Sequence, residues 1–291
     1  MSHGVLLVGG AGYLGSRIFE KFSSLGFDVT SVDLEWFEPP DFPNIKMDYK
    51  DLKQDFIRMF DTVVFLAGHS NVQHCERERI ASLHNNCLNF FRFVEKLNDH
   101  QRFIYASSGS VYGFKNGTFS REDDPLWEPI QEYDRQKQMI DYYMVNSNKK
   151  FYGLRFGTVC GYSPNPRNTL MINSMVRSGL TEGVVKVTNA QSYRAILGME
   201  DLCSAIVRIV LGYGRSQSTF YNLASVNLRI DEIGGMVADL LRCRFEAEGG
   251  IGEYSFKLLT RKFESEFDFP FRETVESMVE AAKKNKFSVN R

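Results

Sequence analysis

The sequence predicts an α/β protein built on a doubly wound parallel sheet, with a smaller and mostly C-terminal second lobe. Short apolar runs alternate with segments of helical spacing through the first 160 residues, as expected of a parallel sheet with helices on both faces. A glycine cluster follows the first apolar run, and the alternation weakens after Gly161. We therefore expect one domain over residues 1–160, a returning segment near residues 190–225, and a smaller lobe over residues 161–291.

The individual elements follow from apolar runs and helical spacing. Val5–Val8 is a continuous apolar run, typical of a strand buried on both faces. Tyr13–Leu25 has helical spacing and ends at Gly26, a plausible helix cap. Further strands are predicted at Val29–Val32, Thr62–Leu66, Phe103–Ala106 and Phe151–Phe156. Further helices are predicted at Leu83–Leu97, Tyr133–Val145, Ala205–Leu211, Ile230–Leu241 and Glu273–Lys284.

Composition excludes several classes of function. The chain of 291 residues has a net charge of −1, so no global field attracts nucleic acid or an anionic membrane. No stretch approaches the roughly 18 apolar residues of a membrane span, and the apolar start lacks the features of a signal peptide. The 5 cysteines form no pair with metal-ligand spacing, and no metal site is expected. The expected location is therefore the reducing cytoplasm.

Three glycines with the spacing G-x-x-G-x-x-G lie directly after the first strand and open the first helix. Gly9, Gly12 and Gly15 allow a tight turn and a close approach of the backbone to a pyrophosphate. The N-terminus of the helix then offers free N–H groups and the positive end of its dipole. This context predicts a Rossmann-type dinucleotide site; the alternative is a tight turn with a purely structural role.

Asp33 ends the second strand, 33 − 15 = 18 residues beyond the last glycine. A carboxylate at this position accepts hydrogen bonds from the ribose hydroxyls of adenosine and repels a 2′-phosphate. No arginine or lysine lies between Asp33 and Pro40 to favour that phosphate. The sequence therefore favours NAD over NADP.

Tyr133 and Lys137 lie four residues apart on a predicted helix, so their side chains share one face. A nearby ammonium group lowers the pKa of a phenol, which can then take a proton from an alcohol while hydride leaves the carbon. Such pairs are common on solvated helices. Ser108 strengthens the prediction, because it lies at the carboxyl end of a predicted strand, where open α/β sheets bind their ligands.

The segments 9–15 and 103–113 resemble the phosphate loop and catalytic-serine segment of the extended short-chain dehydrogenase/reductase family, in its branch of sugar-nucleotide epimerases, dehydratases and reductases. The resemblance implies that Ser108 is the hydroxyl partner, Tyr133 the acid/base and Lys137 the group that binds the nicotinamide ribose. The residues expected to bind the cofactor are Gly9, Gly12, Tyr13, Leu14, Gly15, Asp33, Asp48, Tyr49, Leu66, Ala67, Gly68, Asn86, Ser107, Tyr133, Lys137 and Phe156.

The same resemblance implies a nucleotide-sugar substrate. Arg194, followed by Glu200 and Asp201, resembles the element whose arginine meets the substrate diphosphate in several relatives; the alternative is a surface arginine. A homodimer is also implied. Phe90, Phe91 and Phe93 are assigned either to its interface or to the core. The residues expected to contact substrate are Ser70, Ser108, Gly109, Thr158, Asn173 and Arg194.

Some positions depart from the usual pattern of the family, and together they suggest an outlying branch. None of the departures removes a predicted catalytic group. Val8 replaces a common threonine, Glu132 a proline, Gln136 a small residue, Ala195 a proline and Gly198 a histidine.

The residues after Ser108 bear on the type of reaction. Relatives that act as 4,6-dehydratases usually carry Asp-Glu there, and decarboxylases a glutamate, whereas this chain has Gly109 and Ser110. The resemblance therefore favours hydride chemistry alone, with a nucleotide-sugar 4-epimerase first and a 4-dehydrogenase or ketoreductase as the alternative. An idle dinucleotide sensor is a third hypothesis, which the retention of Tyr133 and Lys137 disfavours.

Overall fold

A computed structural model describes residues 4–115, 117–212 and 218–287. Its largest sheet has seven parallel strands in the order β11-β7-β5-β4-β1-β2-β3. The alternating side chains of β1 explain why both faces are covered: Leu6 and Val8 belong to one buried cluster, and Val5 and Leu7 to the other. These strands are β1 Gly4–Val8, β2 Asp28–Asp33, β3 Asn44–Lys46, β4 Thr62–Phe65, β5 Arg102–Ala106, β7 Phe151–Phe156 and β11 Thr219–Leu223.

Helices cover the sheet on both faces. The cluster of Val5 and Leu7 includes side chains of α1, α8 and α10, whereas the cluster of Leu6 and Val8 includes side chains of α5 and α6. A π-helical turn, His84–Asn89, joins α4 to α5. The helices of this lobe are α1 Tyr13–Ser24, α2 Gln54–Ile57, α3 Val72–Arg77, α4 Arg79–Leu83, α5 Phe90–Lys96, α6 Glu132–Asn146, α8 Met199–Val210 and α10 Arg261–Phe267.

The smaller lobe combines three short sheets with three helices. Its sheets pair β12 with β10 and β8, β13 with β9, and β14 with β6. Apolar side chains of α7, α9 and α11 form its core. Its elements are β6 Phe119–Ser120, β8 Thr158–Cys160, α7 Met171–Glu182, β9 Val184–Val187, β10 Tyr193–Gly198, β12 Val226–Arg229, α9 Ile230–Leu241, β13 Arg244–Ala247, β14 Lys257–Leu258 and α11 Val275–Ala282.

The predicted α/β class with a doubly wound parallel sheet is confirmed. The predicted helix at residues 83–97 is interrupted by the π-helical turn, and the one at residues 205–211 begins earlier, at Met199. The last strand of the large sheet, β11, comes from residues 219–223, after the chain has passed through the smaller lobe. Over the described residues, no helix has the length and apolar character needed to cross a membrane.

Candidate active site

The glycine loop lies at the carboxyl ends of β1, β2 and β4, and its glycines are required by close contacts. A Cβ atom on Gly15 would lie 2.2 Å from the carbonyl oxygen of Gly9, and one on Gly9 would lie 2.6 Å from the nitrogen of Ala67. Gly9 also has a φ of +88°, which side chains disfavour. The loop therefore brings bare backbone to the N-terminus of α1, as a bound pyrophosphate requires.

Asp33 faces this loop from the end of β2. Its carboxylate accepts hydrogen bonds from the backbone N–H of Ala11 at 3.1 Å and from that of Glu35 at 2.7 Å. Burial raises the pKa of Asp33, and these hydrogen bonds oppose the rise. Lys46, the nearby cation, pairs with Glu35 at 3.2 Å. The surroundings of Asp33 thus suit ribose hydroxyls better than a further phosphate.

The end of β4 forms the opposite wall of the loop. The backbone nitrogens of Leu66 and Ala67 lie 2.8 and 3.1 Å from the carbonyl oxygen of Val8. Asn86 lies beneath the segment that follows: its Oδ1 accepts from the nitrogen of His69 at 2.7 Å, and its Nδ2 donates to the oxygen of His69 at 2.9 Å. A Cβ atom on Gly68 would meet Asn86 Oδ1 at 2.6 Å. Asn86 therefore holds the strand end in place.

The three predicted catalytic side chains meet where β5 ends beside α6. Lys137 Nζ donates to the carbonyl oxygen of Ala106 at 2.6 Å and lies 5.6 Å from the centre of the Tyr133 ring. Ser108 Oγ lies 2.8 Å from Ser110 Oγ and also interacts with the Tyr133 phenol. The chain thus places a hydroxyl, a phenol and an ammonium group in one part of the cleft.

Burial controls the charges of this group. It raises the pKa of Tyr133 to about 12, although Ser108 and the cation Arg167 act in the opposite direction. Burial also lowers the pKa of Lys137. In the protein alone Tyr133 is therefore a neutral phenol near pH 7, and it needs further positive charge nearby to act as a base.

Two departures from the family pattern have structural roles next to Tyr133. Gln136 is buried, accepts from Asn86 Nδ2 at 2.7 Å, and donates to Ser82 Oγ at 2.8 Å. The backbone nitrogen of Glu132 donates to Glu76 at 2.6 Å, a bond that a proline cannot make. Both contacts tie the start of α6 to the neighbouring helices and so fix Tyr133 in the cleft.

Several predicted ligand contacts lie at or just beyond the ends of strands. Ser70 lies on the loop after β4, Gly109 follows Ser108, Phe156 ends β7, and Thr158 begins β8. Arg194 is partly buried, donates to the carbonyl oxygen of Tyr193 at 3.1 Å, and has its pKa lowered to about 10 by burial. No carboxylate among the described residues pairs with Arg194.

Other predicted contact residues use their polar groups in hydrogen bonds within the protein. Asn173 is fully buried, and its amide binds Gly161, Tyr13 and Arg167; its contact with substrate stays a prediction. Its place on the inner face of α7 explains the burial, since that face packs against the lobe core.

The polar groups of Asp48 and Tyr49 also bind other residues of the protein. The carboxylate of Asp48 accepts from the nitrogen of Lys50 at 3.1 Å and pairs with its Nζ at 2.8 Å. The phenol of Tyr49 donates to the carbonyl oxygen of Asn85, and its ring packs on Phe65. The Tyr49 side chain therefore lies in the core, and Ser107 is likewise buried.

The sequence did not single out Arg167, Asp134 or Tyr254. Arg167 lies on the loop before α7, and its charge acts on the phenol of Tyr133. In the sequence it is only a charged residue in a Pro-rich loop. Asp134, next to Tyr133, is 1% exposed and accepts a hydrogen bond from the hydroxyl of Tyr254 in the smaller lobe. Burial raises the pKa of Asp134, and Ser110 and Tyr254 oppose the rise.

One group of potential metal ligands lies at the edge of the cleft within the part of the chain that the structure describes. It consists of His69, His74 and Glu78, with 3.2 Å between His74 Nε2 and Glu78 Oε2. Asn85 Nδ2 lies 2.9 Å from Nδ1 of His69. The ion pair has the four-residue spacing of a solvated helix face, and it needs no metal to explain it. The absence of a metal site stays a prediction.

The fold and the cleft together define an enzyme of the NAD-dependent short-chain dehydrogenase/reductase type. The cradle of bare backbone at Gly9 and Gly15, with Asp33 beside it, fits an NAD molecule. A model of the NAD dependent epimerase/dehydratase family matches residues 5–224, and the chain belongs to that family.

A UDP-glucose 4-epimerase of Lactobacillus helveticus is 27% identical over 174 residues, which cover 55% of this chain and 52% of that protein. The match thus spans about half the length of that relative.

Solved structures agree in fold. MoeE5, solved in complex with UDP-glucuronic acid and NAD, has a TM-score of 0.81 at 22% identity, covering 96% of this chain and 97% of that one. TunA, an NAD-dependent NDP-hexosamine 5,6-dehydratase, has a TM-score of 0.84 at 17% identity, covering 97% of each chain. These likenesses show a shared fold, whereas membership of the family is shown by the match over residues 5–224.

Proposed function

We propose that the protein is a nucleotide-sugar 4-epimerase. The observation that carries the proposal is the meeting of Ser108, Tyr133 and Lys137 in one cleft, with Gly109 and Ser110 following the serine. The buried carboxylate next to Tyr133, that of Asp134, is bound to Tyr254 and is not exposed to a substrate. The site thus has groups for moving a proton and a hydride, and it lacks a carboxylate placed for elimination of water.

In the proposed reaction Ser108 binds the hydroxyl of the sugar and directs it towards Tyr133. Tyr133 takes the hydroxyl proton as the carbon loses hydride, and gives a proton back when hydride returns to the other face of the sugar. NAD supplies the hydride acceptor and donor when bound. Lys137, within reach of the Tyr133 ring, favours the phenolate that this step needs. Arg194 provides a guanidinium fork for the substrate diphosphate.

The alternative is a 4-dehydrogenase or ketoreductase, which would use the same three side chains and complete only half of the cycle. The experiment is to incubate the purified protein with UDP-, GDP- and dTDP-sugars and to record product mass and retention. A product of unchanged mass and shifted retention, formed without added NAD, is expected. A product lighter by two hydrogens would contradict epimerisation and favour the dehydrogenase.

We further propose a homodimer in the cytoplasm. Phe90 and Phe93 are buried in the core, whereas α6 leaves Met139, Tyr142 and Val145 exposed. Such a set of apolar side chains on one helix supports a helical interface between two copies. The five cysteines are free thiols, which supports a reducing compartment. Light scattering of the purified protein tests the dimer, and a single-copy mass would contradict it.

A further inference from the structure

Arg167 is a partly buried cation on the loop between β8 and α7. Its Nη1 donates to Ser70 Oγ at 2.9 Å, and its Nη2 donates to the carbonyl oxygen of Ser70 at 3.3 Å. The buried amide of Asn173 binds the carbonyl oxygen of Arg167 at 3.1 Å. The side chain thus spans the cleft from the smaller lobe to the loop after β4, and its backbone is fixed.

The charge of Arg167 is not balanced by any carboxylate of the described residues. The titratable groups that it influences are the phenols of Tyr133 and Tyr13, and burial lowers the pKa of its guanidinium. Taking a cation out of water without a counter-charge costs free energy, and two hydrogen bonds to one neutral serine repay only part of it. Such a site gains most from an anionic ligand.

The position of Arg167 indicates which part of a ligand it meets. The glycine loop and the N-terminus of α1 already provide donors for the pyrophosphate of the cofactor. Arg194 is a second arginine without a carboxylate partner among the described residues, and it serves the substrate diphosphate in the proposed function. Arg167 instead binds Ser70, the predicted substrate contact on the loop after β4, and its charge acts on the phenol of Tyr133 as well as on that of Tyr13.

We propose that Arg167 binds a carboxylate carried by the reacting sugar, so that the enzyme prefers nucleotide uronic acids to neutral nucleotide sugars. This inference rests on the proposed function and specifies its substrate class. A guanidinium presents parallel N–H groups that match the two oxygens of a carboxylate. When the ligand binds, both Nη atoms leave Ser70 and donate to the carboxylate instead. Ser70 then remains beside the same group as a further hydroxyl donor.

The test compares UDP-glucuronic acid with UDP-glucose, two probes that share a nucleotide and differ in the charge of the sugar. Binding to the NAD-loaded protein is measured by calorimetry, which requires no turnover. Arg167→Gln should weaken UDP-glucuronic acid by roughly 10- to 100-fold, as expected for a lost charge-assisted pair, and should leave UDP-glucose within about 2-fold. Arg167→Lys should recover part of the loss, since it restores charge without the fork.

Arg194→Gln is the matched control, because loss of a diphosphate contact should weaken both probes equally. Equal weakening of both probes by Arg167→Gln would overturn the inference and would place Arg167 on the diphosphate. Loss of NAD from that variant would assign Arg167 to the cofactor instead. The inference would also be overturned if the native protein bound both probes with equal affinity, or bound neither.

Turnover separates the two proposals. If Arg167→Gln weakens only the uronic acid while the native protein leaves both probes unchanged in mass and retention, the proposed epimerase fails and the anion site stands. If both probes are epimerised and Arg167→Gln affects them equally, the epimerase stands and the anion site fails.

Discussion

The two walls of the cleft differ in how they are encoded. The wall of the large lobe consists of short local patterns, each recognisable by itself: a glycine loop of seven residues, Asp33 at a strand end, and the pair Tyr133 and Lys137 on one helix. The wall of the smaller lobe brings together Arg167, Arg194 and Tyr254 from three separate segments. The first wall follows from local geometry at the ends of parallel strands, whereas the second depends on how distant segments pack.

The walls also differ in electrostatics. The large-lobe wall satisfies its charged groups internally, with Lys137 bound to Ala106 and Asp33 bound to two backbone nitrogens. The smaller-lobe wall presents two partly buried arginines without carboxylate partners among the described residues. Under the proposed function, the large-lobe wall holds the cofactor and carries out the chemistry, whereas the smaller-lobe wall selects the substrate. The following variants test that division.

Tyr133→Phe should have the largest effect, because it removes the proton-transfer group of the large-lobe wall. We expect turnover to fall by roughly 10³-fold, within the usual range for loss of a general acid/base. Bound NAD, measured after denaturation, should be unchanged. Tyr143→Phe on the same helix is the matched control, since the Tyr143 hydroxyl donates to Glu95 and belongs to neither the predicted catalytic group nor the proposed interface. Substantial activity in Tyr133→Phe would exclude Tyr133 from the chemistry.

Gly15→Ala should disturb the cofactor cradle. Its Cβ atom would lie 2.2 Å from the carbonyl oxygen of Gly9, and the backbone cannot give way without opening the loop. We expect loss of NAD and a decrease of roughly 1–3 kcal/mol in the free energy of unfolding. Gly235→Ala, on α9 with no atom near its Cβ, should be neutral or slightly stabilising. Retention of NAD by Gly15→Ala would mean that the cradle does not hold it.

Tyr254→Phe tests the contact between the walls at Asp134. The change removes a hydrogen-bond donor from a buried carboxylate, which should lower the free energy of unfolding by roughly 1–3 kcal/mol. We expect turnover to fall by less than about 10-fold, since neither side chain is hydrogen-bonded to Ser108, Tyr133 or Lys137. Additive effects of Tyr254→Phe and Asp134→Asn in a double-mutant cycle would show that the two side chains are not coupled.

Glu273 should give the smallest effect, confined to pH dependence. Burial raises the pKa of Glu273 from 4.5 to about 7, with Asp201 and Glu200 adding repulsion. The folded state therefore holds a proton that the unfolded state releases, and the free energy of unfolding should fall as pH rises from about 4.5 through 7.

Glu273→Gln should flatten this pH dependence, measured by chemical denaturation at pH 5 and pH 8. Its amide oxygen can still accept from the nitrogen of Asp201, which Glu273 binds at 3.0 Å. Glu276→Gln on the same segment is the control, because Glu276 is exposed. An unchanged slope in Glu273→Gln would assign the titration to another group.

The sequence by itself determined the α/β class and predicted the roles of the glycine loop, Asp33, Ser108, Tyr133 and Lys137, because each is encoded by apolar runs or short spacings at strand ends. Comparison of the sequence with the usual family pattern also showed the departures at Glu132 and Gln136, but it did not explain them. Only the tertiary structure showed that Gln136 binds Asn86 and Ser82, two residues more than 45 positions away. Local periodicity carries no information about such contacts.

The tertiary structure also decided which predicted ligand contacts are free. Asn173 and Tyr49 are polar residues at plausible positions, yet the packing of α7 and of the large-lobe core uses their polar groups internally. Arg167 shows the opposite case: nothing in its Pro-rich loop distinguishes it, and only the fold places its charge opposite Tyr133. Spacing fixes where side chains lie along an element, whereas burial and partners are set by segments far apart in the chain.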